Sequence, residues 1–305
     1  MNRWTPRRGL AGLAACAACA ACAAEPADSS APAPAEPLRR ALFVGIDGMR
    51  PDALQIAQTP HLDRLRDDGA WSMVAQTQQT GDTVSATGWT SIFTGVEVST
   101  HGVEANGDYA TYDRSFETFA GVVRRDLGRS TAAAAHWPEI LSAIHGADDF
   151  DDALLTDDDG VADRLARHVE ADDHALLVAH LDDVDHAGHA SGFSADNPDY
   201  LAAIEAQDDR VGRMMAAIDA RPASEDWLVV VTSDHGGDPA GHGNRNADCR
   251  TIPLLVWGGG APIGELDATD APSHLDVFPT VLTHLGAADA LISRSAGQSR
   301  LSTED

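Results

Sequence analysis

Aspartate and histidine recur in this chain at a few places framed by apolar runs or glycines. Leu228-Val-Val-Val-Thr-Ser runs into Asp234-His235-Gly236-Gly237, and Gly241-His242-Gly243 follows. Ala41 to Ile46 is a second apolar run, ended by Asp47-Gly48. Ala175 to Leu181 is a third, followed by Asp185 and, four residues on, His189. Such runs read as buried strands, and a strand that ends in a carboxylate and an imidazole delivers ligands to the rim of a sheet. Singly, a strand-end aspartate or a lone histidine is ordinary packing or capping. Together, Asp47, Asp185, His189, Asp234, His235 and His242 form an oxygen and nitrogen donor set, which suits zinc, with manganese or iron as alternatives. A further segment, Gly81-Asp-Thr83-Val-Ser85-Ala-Thr87-Gly-Trp89, leads into a helix ending at Thr94-Gly95. Its hydroxyls are either helix caps or a nucleophile placed where helix-terminal N–H groups favour an anion.

The elements that must position these residues alternate between strand and helix. Strands are expected at 41–46, 71–80, 130–136, 175–181, 228–232 and 251–257. Helices are expected from Pro60, with Thr59 as cap, then over 112–127, 160–171, 201–220 and from Ser273. Residues 99–107 read as a turn carrying a polar side chain, and the aspartate-rich stretch 148–159 as a solvated loop, with calcium binding as the alternative. Met214 and Met215 fall on the apolar side of their helix and are expected in the core. The alternation predicts an α/β fold, a single sandwich with a central, mostly parallel sheet flanked by helices. Ligands in such folds collect beyond the carboxyl ends of the strands.

With 305 residues the chain is long enough for one large domain, and its 43% hydrophobic and 23% charged content fits a folded globular protein. The formal net charge is −27 and lysine is absent. That balance argues against binding duplex nucleic acid through a general basic surface, but not against a small anionic substrate held by metal ions. Arg3, Arg7 and Arg8 precede a short apolar run, so residues 1–24 read as an export segment. Leu13-Ala-Ala-Cys16 resembles a bacterial lipoprotein signal, with lipid on Cys16 as a membrane attachment; cleavage of a low-complexity leader is the alternative. Residues 25–39 read as a Pro/Ala-rich tether, 40–292 as the catalytic domain and 293–305 as a frayed polar tail. The expected location is the periplasm or the outer membrane. Neither Gly236-Gly237 nor Gly258-Gly259-Gly260 matches a dinucleotide or phosphate-loop pattern, so no organic cofactor is expected.

Taken in order, these motifs resemble the alkaline phosphatase superfamily, in its compact type I phosphodiesterase/nucleotide pyrophosphatase-like branch. Val44-Gly-Ile-Asp47-Gly48 is similar to the opening metal strand. Ser85 with Thr94-Gly95 and His101-Gly102-Val103 is similar to the nucleophile segment, and Asp185-His-Ala-Gly-His189-Ala-Ser-Gly192 to the Asp-x-x-Gly-His-x-x-Gly signature. Ser233 to Gly236 with Gly241-His242-Gly243 resembles the closing metal motif, and Asp276 to Leu282 the late helix. The resemblance implies two divalent ions, zinc with manganese as the alternative. Asp47, Asp234, His235 and the nucleophile oxygen would hold one; Asp185, His189 and His242 the other. It implies a phosphodiesterase that hydrolyses a small phosphate ester through a phosphoserine on Ser85, with a phosphomonoesterase as the alternative activity and Thr83 and Thr87 as alternative nucleophiles. Asn106 and the Ala86 N–H would donate to the phosphoryl oxygens. Trp89 stacks on a leaving group or belongs to the core. Sulfatases require Cys/Ser-x-Pro-x-Arg, and here Ala86-Thr87-Gly88-Trp89 follows Ser85. A monoesterase needs extra positive charge, for which Arg245 and Arg250 are candidates. A catalytically inactive metal-binding lipoprotein is the remaining alternative. The other histidines outside the motifs receive no ligand role, and Asp182 is a candidate partner for a ligating histidine. The leaving group and the oligomeric state are not specified.

Overall fold

A computed structural model describes residues 37–77, 80–171, 174–270 and 272–302. The expected export segment and almost all of the tether lie outside the described residues. The strands are β1 (Leu38–Ile46), β2 (Ala70–Gln76), β3 (Thr131–Ala135), β4 (Asp152–Leu155), β5 (Leu176–Leu181), β6 (Glu225–Thr232), β7 (Thr251–Gly258) and β8 (Gly264–Glu265). The helices are α1 (Pro51–Leu54), α2 (Pro60–Asp67), α3 (Ser85–Thr94), α4 (Val98–His101), α5 (Phe119–Arg125) and α6 (Asp158–Ala171). They continue with α7 (Asp183–Ser191), α8 (Pro198–Asp219), α9 (Ala247–Arg250), α10 (Val277–His284) and α11 (Asp289–Ile292).

The strands form one sheet in the order β4-β3-β5-β1-β6-β7-β2-β8. The contiguous block from β4 to β6 is parallel, β7 is antiparallel to both neighbours, and β8 returns parallel to β2. β1 lies inside that block, with Ile46 opposite Leu181 and Gly45 opposite Thr232. Both faces of the sheet are covered, as a parallel sheet requires. Along β1, Leu42, Val44 and Ile46 enter the core shared with α2, α6 and α8, while Ala41 and Phe43 enter the core shared with α3, α5 and α10. Met214 and Met215 lie in the first of these cores.

Four local expectations change. The helix over 112–127 is confined to Phe119–Arg125, because the Thr118 hydroxyl caps it by accepting the Gly121 N–H at 3.1 Å. Thr59 does not cap α2 with its side chain. The Asp208 carboxylate on α8 accepts the N–H groups of Leu62 (2.7 Å) and His61 (3.2 Å) instead. The aspartate-rich stretch is more structured than a solvated loop: it contains edge strand β4, and Asp149 is buried against Arg125 and His145. Asp151 and Asp159 also pair with arginines, so these carboxylates are matched by guanidinium groups rather than gathered on a calcium ion. Lastly, the stretch read as a frayed tail is docked in its described part. Arg300 is buried and pairs with Asp276 at 2.6 Å, and the Ser302 N–H reaches Gly260 O at 3.0 Å.

Candidate metal centre

Three neighbouring strands, β5, β1 and β6, end on one side of the sheet, and the ligand motifs leave from those ends. Asp47 follows β1 directly, its N–H bonded to Leu181 O of β5 at 2.9 Å. Asp234 and His235 follow β6, and Asp185 and His189 lie one turn apart on α7, which follows β5. Ser233 joins two of these turns by accepting the Met49 N–H (2.9 Å) and donating to His235 O (2.7 Å). Asp47, Asp234 and His235 are fully buried or nearly so.

The six candidate ligands lie in two adjoining groups. His235 Nε2 lies 3.3 Å from Asp234 Oδ2, 3.5 Å from Asp47 Oδ1 and 3.4 Å from Ser85 Oγ. Bonds of about 2.0–2.1 Å to a tetrahedral zinc place neighbouring donors about 3.3–3.4 Å apart, so these spacings suit one ion. In the second group His189 Nε2 lies 2.9 Å from His242 Nε2 and 3.3 Å from Asp185 Oδ2, and His242 Nε2 is 3.5 Å from Asp185 Oδ1. The His235 and His242 rings stack at 3.8 Å between centroids, which sets the two groups side by side.

Three observations say that the donors are prepared for cations. Asp47 Oδ1, Asp185 Oδ1 and Asp234 Oδ2 are buried without a hydrogen-bond partner among the described residues, and these are the oxygens turned toward the imidazoles. An orphaned carboxylate oxygen is costly unless a cation meets it. His235 Nδ1 bonds Gly236 O at 2.8 Å and His242 Nδ1 bonds Thr83 O at 2.8 Å, which leaves both Nε2 atoms with a lone pair for a metal. The electrostatics agree. Burial, then the charges of Asp234 and Asp185, raise the Asp47 pKa well above the usual carboxylate range, and burial then Asp185 raise Asp234. Burial, then His235, lowers His242 to about 4, so it is a neutral donor at pH 7.

The three candidate hydroxyls separate clearly. Ser85 opens α3 and faces His235. Thr83 Oγ1 is taken up by Asn244 O (2.7 Å) and the Gly243 N–H (3.0 Å), holding the Gly-His-Gly turn in place. Thr87 is wholly buried, its hydroxyl without a partner among the described residues. Asn106 lies beside Ser85, because its Oδ1 accepts the Ala86 N–H at 2.8 Å. The two expected phosphoryl donors are thus bonded to each other, and it is the Asn106 amide that remains to donate.

Several residues of the centre were not expected. Trp89 is fully buried, and its Nε1–H donates to Asp47 Oδ2 at 2.8 Å. It therefore belongs to the core and holds a ligand, rather than stacking on a leaving group. Gly45 makes room for it: a Cβ there would lie 2.4 Å from the indole. His180 Nε2 approaches the same oxygen at 3.3 Å. Phe193 fills the space beneath the ligand turns, where a Cβ on Gly188 or Gly237 would come within 2.4 Å of its ring. Glu139 anchors the Asn106 turn, accepting from Tyr109 OH (2.6 Å) and the Gly107 N–H (3.2 Å). Arg245 pairs with Asp82 at 3.5 Å, while recorded bonds of Arg250 run to Arg245 O and Gly81 O.

A mostly parallel α/β sandwich with this ligand set beyond its central strands has the architecture of the alkaline phosphatase superfamily. Residues 41–252 match the model of the family described as type I phosphodiesterase / nucleotide pyrophosphatase, and the chain belongs to that family. The fold is similar to that of murine ectonucleotide pyrophosphatase/phosphodiesterase 5, solved in complex with AMP, with a TM-score of 0.66 at 15% identity, covering 82% of this chain and 96% of that one. It is also similar to the phosphonate monoester hydrolase of Agrobacterium radiobacter, with a TM-score of 0.61 at 16% identity over 82% and 74% of the two chains. Among curated proteins, a phosphopentomutase of Vibrio campbellii is 30% identical over 119 residues, 39% of this chain and 27% of that protein. The multifunctional alkaline phosphatase superfamily protein PehA of Trinickia caryophylli is 29% identical over 136 residues, 38% of this chain and 26% of that protein. The alignments thus span about a quarter of these curated relatives.

Proposed function

We propose that the protein is a two-metal phosphoric ester hydrolase, a phosphodiesterase that works through a covalent phosphoserine on Ser85. The observation that carries this reading is the convergence of Ser85 Oγ with Asp47, Asp234 and His235 on one point, beside Asp185, His189 and His242. Two divalent ions held there would supply Lewis acidity, lowering the pKa of the serine hydroxyl and of a water and neutralising phosphoryl oxygens. They would outweigh the three ligand carboxylates by one positive charge, so an anion can enter despite the acidic chain.

The chain's own residues do the rest. Ser85 Oγ gives up its proton to water and attacks phosphorus from the first turn of α3, and the ester's alcohol leaves from the opposite side, taking up a proton from water. The Asn106 amide donates to a phosphoryl oxygen where charge develops, a contribution of about 3–4 kcal/mol for a comparable single donor. Water then attacks the phosphoserine, releasing the phosphate monoester and restoring the hydroxyl. The match to the type I phosphodiesterase / nucleotide pyrophosphatase family supports a diester over a monoester as the substrate. We also read the first 24 residues as an export segment that places the enzyme in the periplasm or, lipidated at Cys16, on the outer membrane.

The test is hydrolysis of bis-p-nitrophenyl phosphate and p-nitrophenyl phosphate by the zinc-loaded protein, with Ser85→Ala alongside. The diester is expected to be preferred at least about tenfold, and the variant to lose about three orders of magnitude in kcat. Full turnover by Ser85→Ala would remove the phosphoserine. A monoester preference would favour the phosphatase reading.

A further inference from the structure

Beyond the two ligand groups, a third convergence of donors lies over the neighbouring strand pair. We propose that His136, Asp182 and His186 form an additional cation site for a divalent first-row metal ion. His136 follows β3, Asp182 follows β5, and His186 is one turn further along α7. β3 and β5 are paired, and the His136 N–H bonds His180 O at 3.2 Å, so the sheet itself brings His136 to α7. One ligand atom from each of the three residues lies within 4.8 Å of the others. His186 Nε2 is 3.4 Å from Asp182 Oδ2, and the His136 and His186 rings meet at 90° with centroids 5.2 Å apart.

A helix-surface Asp–His pair at i,i+4 is by itself an ordinary solvated contact. What lifts this cluster above that is Asp158. Its carboxylate is fully buried and meets His136 Nδ1 at 2.8 Å. With Nδ1 donating to that carboxylate, His136 Nε2 keeps a lone pair, the carboxylate–histidine arrangement that orients imidazole ligands toward metals. The same carboxylate accepts the N–H groups of Asp182 (2.9 Å) and Asp183 (2.9 Å) and the Gln207 amide (2.6 Å). One buried group therefore fixes the ring of one donor and the backbone of another. Asp182 is buried, whereas the His186 side chain is 58% exposed, so the site opens to solvent and has room for water ligands. Two imidazoles and one carboxylate with open positions suit zinc, manganese or iron better than calcium or magnesium. Asp182 also has a ligand atom within 4.8 Å of one each from Asp47 and His180, so the site adjoins the Asp47 group.

Equilibrium titration of the chelated full chain with zinc, followed by calorimetry, tests this independently of turnover. Wild type is expected to bind three equivalents and His186→Gln two, with the near-ultraviolet circular dichroism unchanged because His186 is exposed. His136→Gln should likewise lose one equivalent or weaken it at least tenfold. His242→Gln reports on the dinuclear centre. If His242→Gln loses an equivalent while His186→Gln binds as many ions as wild type, the additional site is refuted and the phosphodiesterase reading stands. If His186→Gln loses an ion and His242→Gln does not, the additional site stands and the dinuclear reading fails.

Discussion

Asp47 has two oxygens with different tasks, and Trp89 keeps them apart. The indole N–H holds Oδ2 at 2.8 Å, so Oδ1 alone is turned to His235 and the metal position. Trp89→Phe retains most of the apolar contact with Phe43 and Phe93 but deletes that donor. Zinc affinity at the Asp47 group is expected to fall about 10–100-fold, the usual effect of losing a partner behind a ligand. Calorimetric titration would show it, and an unchanged Kd would reduce Trp89 to packing. The candidate ligands were legible in the sequence because Asp47, Asp234 and His235 close apolar runs, His242 stands between glycines, and Asp185 and His189 follow a third run at a spacing of four. Trp89, His180 and Asp158 were not legible. Their significance lies in which carboxylate or imidazole they touch, and those pairs are 42, 133 and 22 residues apart. Gly45 was the available hint, a strand glycine whose use is to admit the indole pressed against it.

Elements act on the site through the turns they hold. The turn bearing Asn106 lies outside the sheet and is fixed at two points, Ala86 at the head of α3 and Glu139. Burial and the Glu139 hydrogen bond push the Tyr109 phenol far above its usual pKa, so it stays protonated and donates at any working pH. Glu139→Ala removes both of the Glu139 hydrogen bonds at once. The expected result is a fall in kcat of about tenfold with KM little changed, since a misplaced Asn106 fails the transition state more than the bound ester. A purely structural role would shift Tm and leave kcat alone. At this scale the strands with continuous apolar runs were readable, as was the α/β alternation. β4 was missed because it is a short edge strand that carries Asp152 and exposes Leu154 and Leu155. The overlong helix over 112–127 and the misassigned cap of α2 share one cause. Apolar spacing and a local Thr-Pro pair report on the segment alone, whereas Thr118 and Asp208 decide where the helices begin.

For the molecule as a whole, metal and proton compete for the same buried carboxylates. With Asp47 and Asp234 raised above the usual carboxylate range, these two groups bind more protons in the chelated fold than in the unfolded chain. Their contribution to stability therefore falls as pH rises from the unfolded carboxylate value through the folded one. Below that window both states are protonated and the penalty is absent. Bound divalent ions hold the same groups ionised and remove the penalty, so the stabilisation by metal must grow with pH. A thousandfold excess of free ion over Kd is worth about 4 kcal/mol per site, and each kcal/mol shifts Tm by about 2–4 °C in a domain of this size. The Tm gap between zinc-loaded and chelated protein is thus expected to be about 10 °C or more at pH 8 and to narrow markedly at pH 5. His242, lowered to about 4 by burial and His235, stays neutral over most of that range. Differential scanning calorimetry at the two pH values, with and without chelator, measures it. A gap that is constant, or wider at pH 5, would mean that the ions are not bound by Asp47 and Asp234.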